Sequence, residues 1–326
     1  MLQSLTIGID AGGTHTRAVL SDPAGALLAS VQAGPGNYQA LGDGGVQQLI
    51  SDLLMELQTQ SGRDLPAGSV CLCVGMAGAG RKDDQQQASA AMTSLEPIAK
   101  AEVVSDARIA LEGAHGGNPG IVVIAGTGSM VLGRNGQGNL SRAGGLGPIL
   151  GDEGSAYRLV IEALQLILRW RDGWGPEIPF ADELRTALGL DSWDGVIGQL
   201  YQDPKSRHRF AAASPVLFAA ARGGDPQAIE IIERQAGQLG LQAAAVAKRL
   251  EMDRPDIAGL GGLFRERELL WRPIVAGFEA AGLQAELVEA RLQPVFGALL
   301  MARTEAAQKT PSRQLERWSE YLLNDA

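Results

Sequence analysis

The chemistry in this chain starts at Asp10. It closes the apolar run Leu5-Thr6-Ile7-Gly8-Ile9 and is followed by Ala11-Gly12-Gly13-Thr14. Two glycines leave backbone N–H groups bare and let a phosphate approach closely. The Thr14 hydroxyl can donate to a phosphate oxygen. The Asp10 carboxylate can hold Mg²⁺, directly or through water, as hard cations prefer oxygen ligands. A plain hairpin turn with an exposed acid explains the same letters. Gly126-Thr127-Gly128-Ser129 repeats the arrangement in the second half of the chain. Two such loops, each beginning one half, would grip a triphosphate from both sides.

Three further places carry chemistry. Asp106 follows the apolar strand Glu102-Val103-Val104-Ser105 and precedes a helix. It suits either a helix cap or a general base taking the proton of a substrate hydroxyl, as phosphoryl transfer requires. Asp152 and Glu153, in Gly151-Asp152-Glu153-Gly154-Ser155, stand before a strong helix. There they complement the helix dipole or bind sugar hydroxyls. Gly261 and Gly262 follow the strand Asp256-Ile257-Ala258-Gly259-Leu260. They make a strand-to-helix turn, or a bare backbone surface for a nucleotide base.

The elements that must position these residues are legible from periodicity. Strands are predicted at 5–10, 16–21 and 27–31, with a turn at Asp22-Pro23-Ala24-Gly25. Helical spacing runs from Gly45 to about Gln60, strand Val70–Val74 follows, and helix-compatible sequence covers Asp83 to Leu95. After a Gly- and Asn-rich stretch, Gly113 to Gly120, the pattern restarts. Strand 121–125 and the second glycine turn lead into Met130–Gly133, with a hairpin signal at Asn135-Gly136. Helices are predicted at 156–170, 179–188, 214–221, 226–250 and 295–307, with an amphipathic tail through Leu315, Trp318 and Leu322. Both glycine loops lie between strands. Dinucleotide and P-loop sites place a helix after the glycines, and neither of their motifs occurs. No G-x-S-x-G elbow is present.

Composition narrows the classes. The 326 residues are 45% hydrophobic, enough for two domains with cores. A net charge of −9 repels nucleic acid and anionic membranes, so neither is expected as a partner. Cys71 and Cys73 alternate in an apolar strand, so they face one side as small buried hydrophobes and fit a reducing compartment. His15, His115 and His208 show no metal-ligand spacing. Neither a signal-peptide pattern nor a membrane-length apolar run is found, and a cytoplasmic location is expected.

Taken in order, Ile9-Asp10-Ala-Gly-Gly-Thr14, the strand ending at Asp106, Ala125-Gly-Thr-Gly-Ser129, Gly144-Gly145, Gly151-Asp-Glu-Gly-Ser155 and Gly259-Leu-Gly-Gly262 resemble the BadF/BadG/BcrA/BcrD ATPase family over nearly the whole chain. Within it the chain looks most like the N-acetylglucosamine kinase branch. The resemblance implies an α/β fold of two ribonuclease-H-like, actin-like ATPase domains with a cleft that closes on sugar and ATP. The domains would span 1–115, completed by a C-terminal helical segment at about 295–326, and 116–294. It also implies Mg²⁺-ATP, transfer to the 6-hydroxyl of an amino sugar, and a homodimer. Asp106 falls on the family's catalytic base. Asn37, Gly145 and Asp152 fall on sugar contacts, and Thr14 and Thr127 on phosphate loops. Two positions depart from the animal enzymes: Leu146 replaces Trp after the paired glycines, and Gly75-Met76-Ala77-Gly78 offers no serine. Glucosamine and N-acetylmuramic acid therefore stand beside N-acetylglucosamine as substrates.

Three rivals differ in class. A dehydratase or reductase activator would hold an iron–sulfur cluster through thiolates, a poor use of two cysteines in an apolar strand. A sugar-sensing repressor needs a DNA-binding module ahead of the first strand. A chaperone ATPase needs a peptide-binding domain.

Overall fold

The computed structural model describes residues 4–202 and 206–321. In chain order the elements begin with β1 Leu5–Ala11, β2 Thr16–Ser21, β3 Leu27–Ala33, α1 Tyr38–Ser61, β4 Val70–Met76, α2 Lys82–Thr93, β5 Ile98–Ser105 and α3 Asp106–His115. Next come β6 Gly120–Ala125, β7 Ser129–Arg134, β8 Leu140–Gly144, α4 Gly147–Leu150, α5 Ala156–Arg171, α6 Ala181–Ala187, α7 Val196–Gln202, α8 Ser206–Ala212, α9 Pro215–Arg222 and α10 Pro226–Arg249. The chain closes with β9 Asp256–Leu260, α11 Arg267–Glu279, β10 Glu286–Val288, α12 Pro294–Glu305 and α13 Ser312–Tyr321. It divides into two compact units: Met1–Asn118 with Glu289–Ala326, and Pro119–Val288.

In the first unit the sheet order is β3-β2-β1-β4-β5. β1, β2 and β3 are antiparallel neighbours, whereas β4 pairs parallel to β1 and β5 parallel to β4. Strand alternation sorts the side chains. Ile7, Ile9, Leu72 and Val74 pack with Val46, Ile50, Leu53 and Leu57 of α1. The opposite face carries Gly8, where any Cβ would strike the α12 backbone at Val295 and Leu299. Cys73 points the same way, its Sγ 4.0 Å from Met301 Sδ. α12 also packs on α3 through Gly297, whose Cβ would collide with the Ile109 carbonyl. Arg303 is fully buried and ties α12 to the β2–β3 turn by donating to the carbonyls of Asp22 (2.9 Å) and Pro23 (3.1 Å).

In the second unit the order is β10-β9-β6-β7-β8. From the β8 edge it repeats the first: an antiparallel trio β8-β7-β6, then β9 and β10 added parallel. Its core joins Ile121, Val123 and Val131 to α5, α9 and α10. α10 and α11 approach closely at glycines, since a Cβ at Gly240 would meet the Ile274 carbonyl and one at Gly277 the Gly237 carbonyl.

Several local expectations need amendment. α1 begins at Tyr38, not Gly45, because a turn of helix capped by Asn37 precedes a break at Gly42 (φ 62°, ψ 179°). β8, β10 and the short helices α7 and α8 carry too few residues to show a period. α11 contains Pro273, which masks it as a helix. Leu322, expected in the tail, lies outside the described residues.

Candidate active site

In the first unit the candidate residues gather at the carboxyl ends of the parallel strands. Register aligns Ala11 with Met76 and Met76 with Ser105, so the segments after β1, β4 and β5 leave the sheet side by side. Backbone bonds tie them: Ala77 N–H donates to the Ala11 carbonyl (2.9 Å), Gly36 N–H to that of Gly12 (2.8 Å) and Tyr38 N–H to that of Ala77 (2.9 Å). Gly36 is required here, because a Cβ would press on Ala11 and Thr16. The Gly12–His15 turn closes by one bond, Gly12 N–H to the His15 carbonyl at 3.0 Å. Gly13 and Thr14 stay exposed, and nothing lies within 4 Å of a Cβ built on Gly13.

Two carboxylates stand at this edge. Burial pushes Asp10 up to about 6, nearby Asp106 adds to the rise, and Arg17 opposes it. Burial also raises Asp106, against hydrogen bonds from backbone N–H groups. Asp106 is the first residue of α3 rather than its cap. Ser105 takes that role, its hydroxyl accepting from Arg108 N–H at 3.3 Å, while Asp106 Oδ1 accepts from Ala107 N–H at 2.8 Å. That leaves Asp106 as a solvent-accessible carboxyl with Oδ1 anchored at the start of α3 and its proton affinity raised. Asn37 caps α1, its Oδ1 accepting from Gln39 N–H at 2.9 Å, and its Nδ2 donors are uncommitted among the described residues.

In the second unit Gly126–Gly128 turns between β6 and β7, closed by Gly126 N–H to the Gly128 carbonyl (2.9 Å). The N–H groups of Thr127 and Gly128 meet no acceptor among the described residues. Ser129 is different. Its hydroxyl is buried and donates to the Glu153 carbonyl at 2.6 Å, so that side chain braces the loop. Gly126 and Thr127 line a cavity of about 410 Å³ whose other walls include His208, Phe218, Gly262 and Glu266. Gly261 turns the backbone away from β9 with φ 98°, and a Cβ there would strike the Ala125 carbonyl. Gly262 has open space at its Cβ position.

The loop before α5 holds the remaining residues. Asp152 and Glu153 do not open that helix: Ser155 caps it, accepting from Arg158 N–H at 3.1 Å. Asp152 sits in the left-handed region (φ 63°) and is 2% exposed. Its Oδ2 accepts from Arg207 Nη2 at 2.5 Å, and its Oδ1 lies 3.4 Å from Ser129 N. Gly145, with φ 67°, anchors its N–H on the Ser129 carbonyl at 3.1 Å. Gln235 accepts from Gly154 N–H at 2.8 Å, and Gln242 donates to Glu153 Oε2 at 3.1 Å, so α10 holds this loop from below. Sequence reasoning missed Arg207, His208 and the cavity's helical walls. Nothing in the short helix around them marks a ligand.

The duplicated sheet defines the class. A solved ROK-family glucokinase from Streptomyces griseus matches with a TM-score of 0.55 at 20% identity over 92% of this chain and all of that one. This is the actin-like ATPase fold of two ribonuclease-H-like domains. The profile of the BadF/BadG/BcrA/BcrD ATPase family matches residues 7–302, and the chain belongs to that family. An N-acetylmuramic acid/N-acetylglucosamine kinase of Clostridium acetobutylicum is 31% identical, over 92% of this chain and 98% of its own length. An N-acetyl-D-glucosamine kinase of Dictyostelium discoideum is also 31% identical, over 93% and 98%. A solved structure described as an N-acetylglucosamine kinase from Chromobacterium violaceum aligns with a TM-score of 0.72 at 28% identity, over 93% of this chain and all of that one.

Proposed function

We propose that this protein is an ATP-dependent kinase that phosphorylates the 6-hydroxyl of an amino sugar, N-acetylglucosamine foremost. The observation that carries the reading is Asp106: a carboxyl with raised proton affinity, open to solvent and fixed at a strand-to-helix junction beside a second acid. A base poised nearer neutrality is what hydroxyl activation needs. Asp106 takes the proton of the 6-hydroxyl as that oxygen bonds to the γ-phosphorus. The bond from the γ-phosphorus to the bridging oxygen breaks, and ADP leaves with that oxygen. Most of the rate comes from positioning and charge neutralisation.

The other residues divide by ligand. Asn37, Gly145 and Asp152 bind sugar hydroxyls. Gly12, Gly13 and Thr14 offer backbone and hydroxyl donors to phosphate, as do Thr127 and Gly128. Ser129 contributes through its backbone. Gly261 and Gly262 form a bare edge for the nucleoside next to the 410 Å³ cavity. Asp10 fits a divalent cation, being a half-buried carboxylate with no hydrogen-bond donor among the described residues and a pKa of about 6. No group of three metal-ligating side chains occurs among the described residues. That suits Mg²⁺ arriving on the nucleotide and held by one carboxylate with water. When bound, Mg²⁺ neutralises charge on the β- and γ-phosphates.

Both cysteines are buried with thiols pushed up by desolvation, which disfavours thiolate ligation of a cluster. They suit a reducing cytoplasm, and no helix among the described residues is long and apolar enough to cross a membrane. ADP release with Mg-ATP, measured across N-acetylglucosamine, glucosamine and N-acetylmuramic acid, tests the proposal and ranks the sugars. Absence of sugar-dependent release with all three would sink it.

A further inference from the structure

One cation touches both halves of the second unit's candidate site. Arg207 lies on α8, immediately before His208, which lines the cavity beside Thr127. Its Nη2 donates to Asp152 Oδ2 at 2.5 Å. The same nitrogen occupies the space where Gly128 lacks a side chain: any Cβ at Gly128 would collide with it and press on Asp152. One guanidinium therefore rests on the turn whose free amides suit phosphate and on the carboxylate suited to sugar hydroxyls.

The pair is lopsided. The Asp152 side chain is 3% exposed and that of Arg207 is 38% exposed. Arg207 Nε is buried and makes no hydrogen bond among the described residues. A guanidinium presents five donors in a fixed fork, so a single pairing to Asp152 leaves most of that capacity unused. Phosphate oxygens are the ligands that a fork of this kind serves best. Among the described residues Asp152 has no other strong donor, since its contact to Ser129 N is long at 3.4 Å.

We propose that Arg207 is a positioning residue shared between the two substrates: it neutralises Asp152 in the ligand-free protein and moves to a phosphate oxygen of the nucleotide at Gly126–Gly128, releasing Asp152 to accept from a sugar hydroxyl. This rests on the kinase reading and adds a coupling between nucleotide and sugar. Coupling of this kind is reciprocal, because each ligand must change the other's affinity by the same factor. No covalent step is involved, only exchange of one cation between two anions.

The test is calorimetric titration of the full chain with Mg²⁺ and the non-hydrolysable ATP analogue AMPPNP, with N-acetylglucosamine, and with adenosine. In the native protein, saturating AMPPNP should tighten sugar binding about 5- to 50-fold, within the usual range of coupling, whereas adenosine should not. Arg207→Met should weaken AMPPNP about tenfold or more, a decade or more in Kd, leave adenosine within about twofold, and abolish the coupling. Arg207→Lys should retain part of both. Asp152→Asn leaves the cation uncommitted and should tighten AMPPNP about threefold or more, a gain of order half a decade. This variant also stands in if Arg207→Met fails to fold around an unpaired acid. AMPPNP affinity and coupling unchanged in Arg207→Met, or AMPPNP weakened by Asp152→Asn, would overturn the assignment while leaving the kinase reading intact. A native protein that binds neither AMPPNP nor any of the three amino sugars would overturn both.

Discussion

The two units solve the same topological problem and load its edge differently. Each places an antiparallel trio beside two parallel strands and turns tightly at glycines after the first strand. In the first unit that edge carries two acids with raised proton affinity, Asp10 half-buried and Asp106 solvent-accessible, opposed only by Arg17 and backbone N–H groups. In the second it carries one buried acid, Asp152, clamped by Arg207. An uncompensated carboxylate is strained toward taking a proton or a cation, whereas a compensated one is a fixed acceptor. The proposed function accordingly assigns proton transfer and the cation to acids of the first unit, and gives the acid of the second only a ligand to hold.

Asp106→Asn is the strongest way to break that division. Turnover should fall by about 10²–10⁴, the usual weight of a general base, with sugar and AMPPNP binding retained in titration. Turnover within a few-fold of native would move the base elsewhere. Next in size is a steric break in the second unit. Gly261→Ala puts a Cβ onto the Ala125 carbonyl at a φ that side chains avoid, costing roughly 2–4 kcal/mol in urea unfolding. Gly13→Ala in the first unit meets nothing within 4 Å. It should leave stability within about 0.5 kcal/mol and act only on the KM for ATP. Equal destabilisation by both would show that the loops are built alike after all.

Asp10→Asn tests the uncompensated charge itself. The folded pKa of about 6 lies above the ordinary carboxyl value of 3.8. The folded state thus binds the extra proton between those values, and stability is lost as pH rises through 6. The cost is absent below about 3.8 and complete above 6, with an upper bound of about 3 kcal/mol from the shift. Without metal or nucleotide, Asp10→Asn should melt higher than native at pH 8, lose that advantage by pH 4, and be a poor kinase throughout. An unchanged or lower melting temperature at pH 8 would show that Asp10 is compensated in solution.

How much of this was readable from the letters follows from what each residue must do alone. Strand, glycine turn, strand is a local pattern, so the duplicated architecture was legible from Asp10–Thr14 and Ala125–Ser129. Asp106 was legible because a lone acid ends an apolar strand, although Ser105 proves to be the cap beside it. Asp152 was legible as an acid but not as a clamped one. Its partner is 55 residues away on a seven-residue helix, and tertiary pairing leaves no trace in periodicity. The Ser129 hydroxyl looked like a phosphate donor, and only the fold shows it spent on the Glu153 carbonyl. α11 was hidden by Pro273, and the start of α1 by the glycines around residue 42.

The smallest effect is the sharpest for Asn37, where structure and function share one side chain. Its Oδ1 accepts from Gln39 N–H and so caps α1, while its amide nitrogen is available to a ligand oxygen. Asn37→Ala removes both and should cost about 1 kcal/mol of stability, the usual value of a cap, together with sugar affinity. Asn37→Asp keeps the cap acceptor and removes only the N–H donors. Its melting temperature should stay near native while the sugar KM rises, by about tenfold for one lost hydrogen bond of roughly 1.4 kcal/mol. Parallel losses of stability and affinity in both variants would mean that Asn37 serves the sugar only by shaping the turn that holds it.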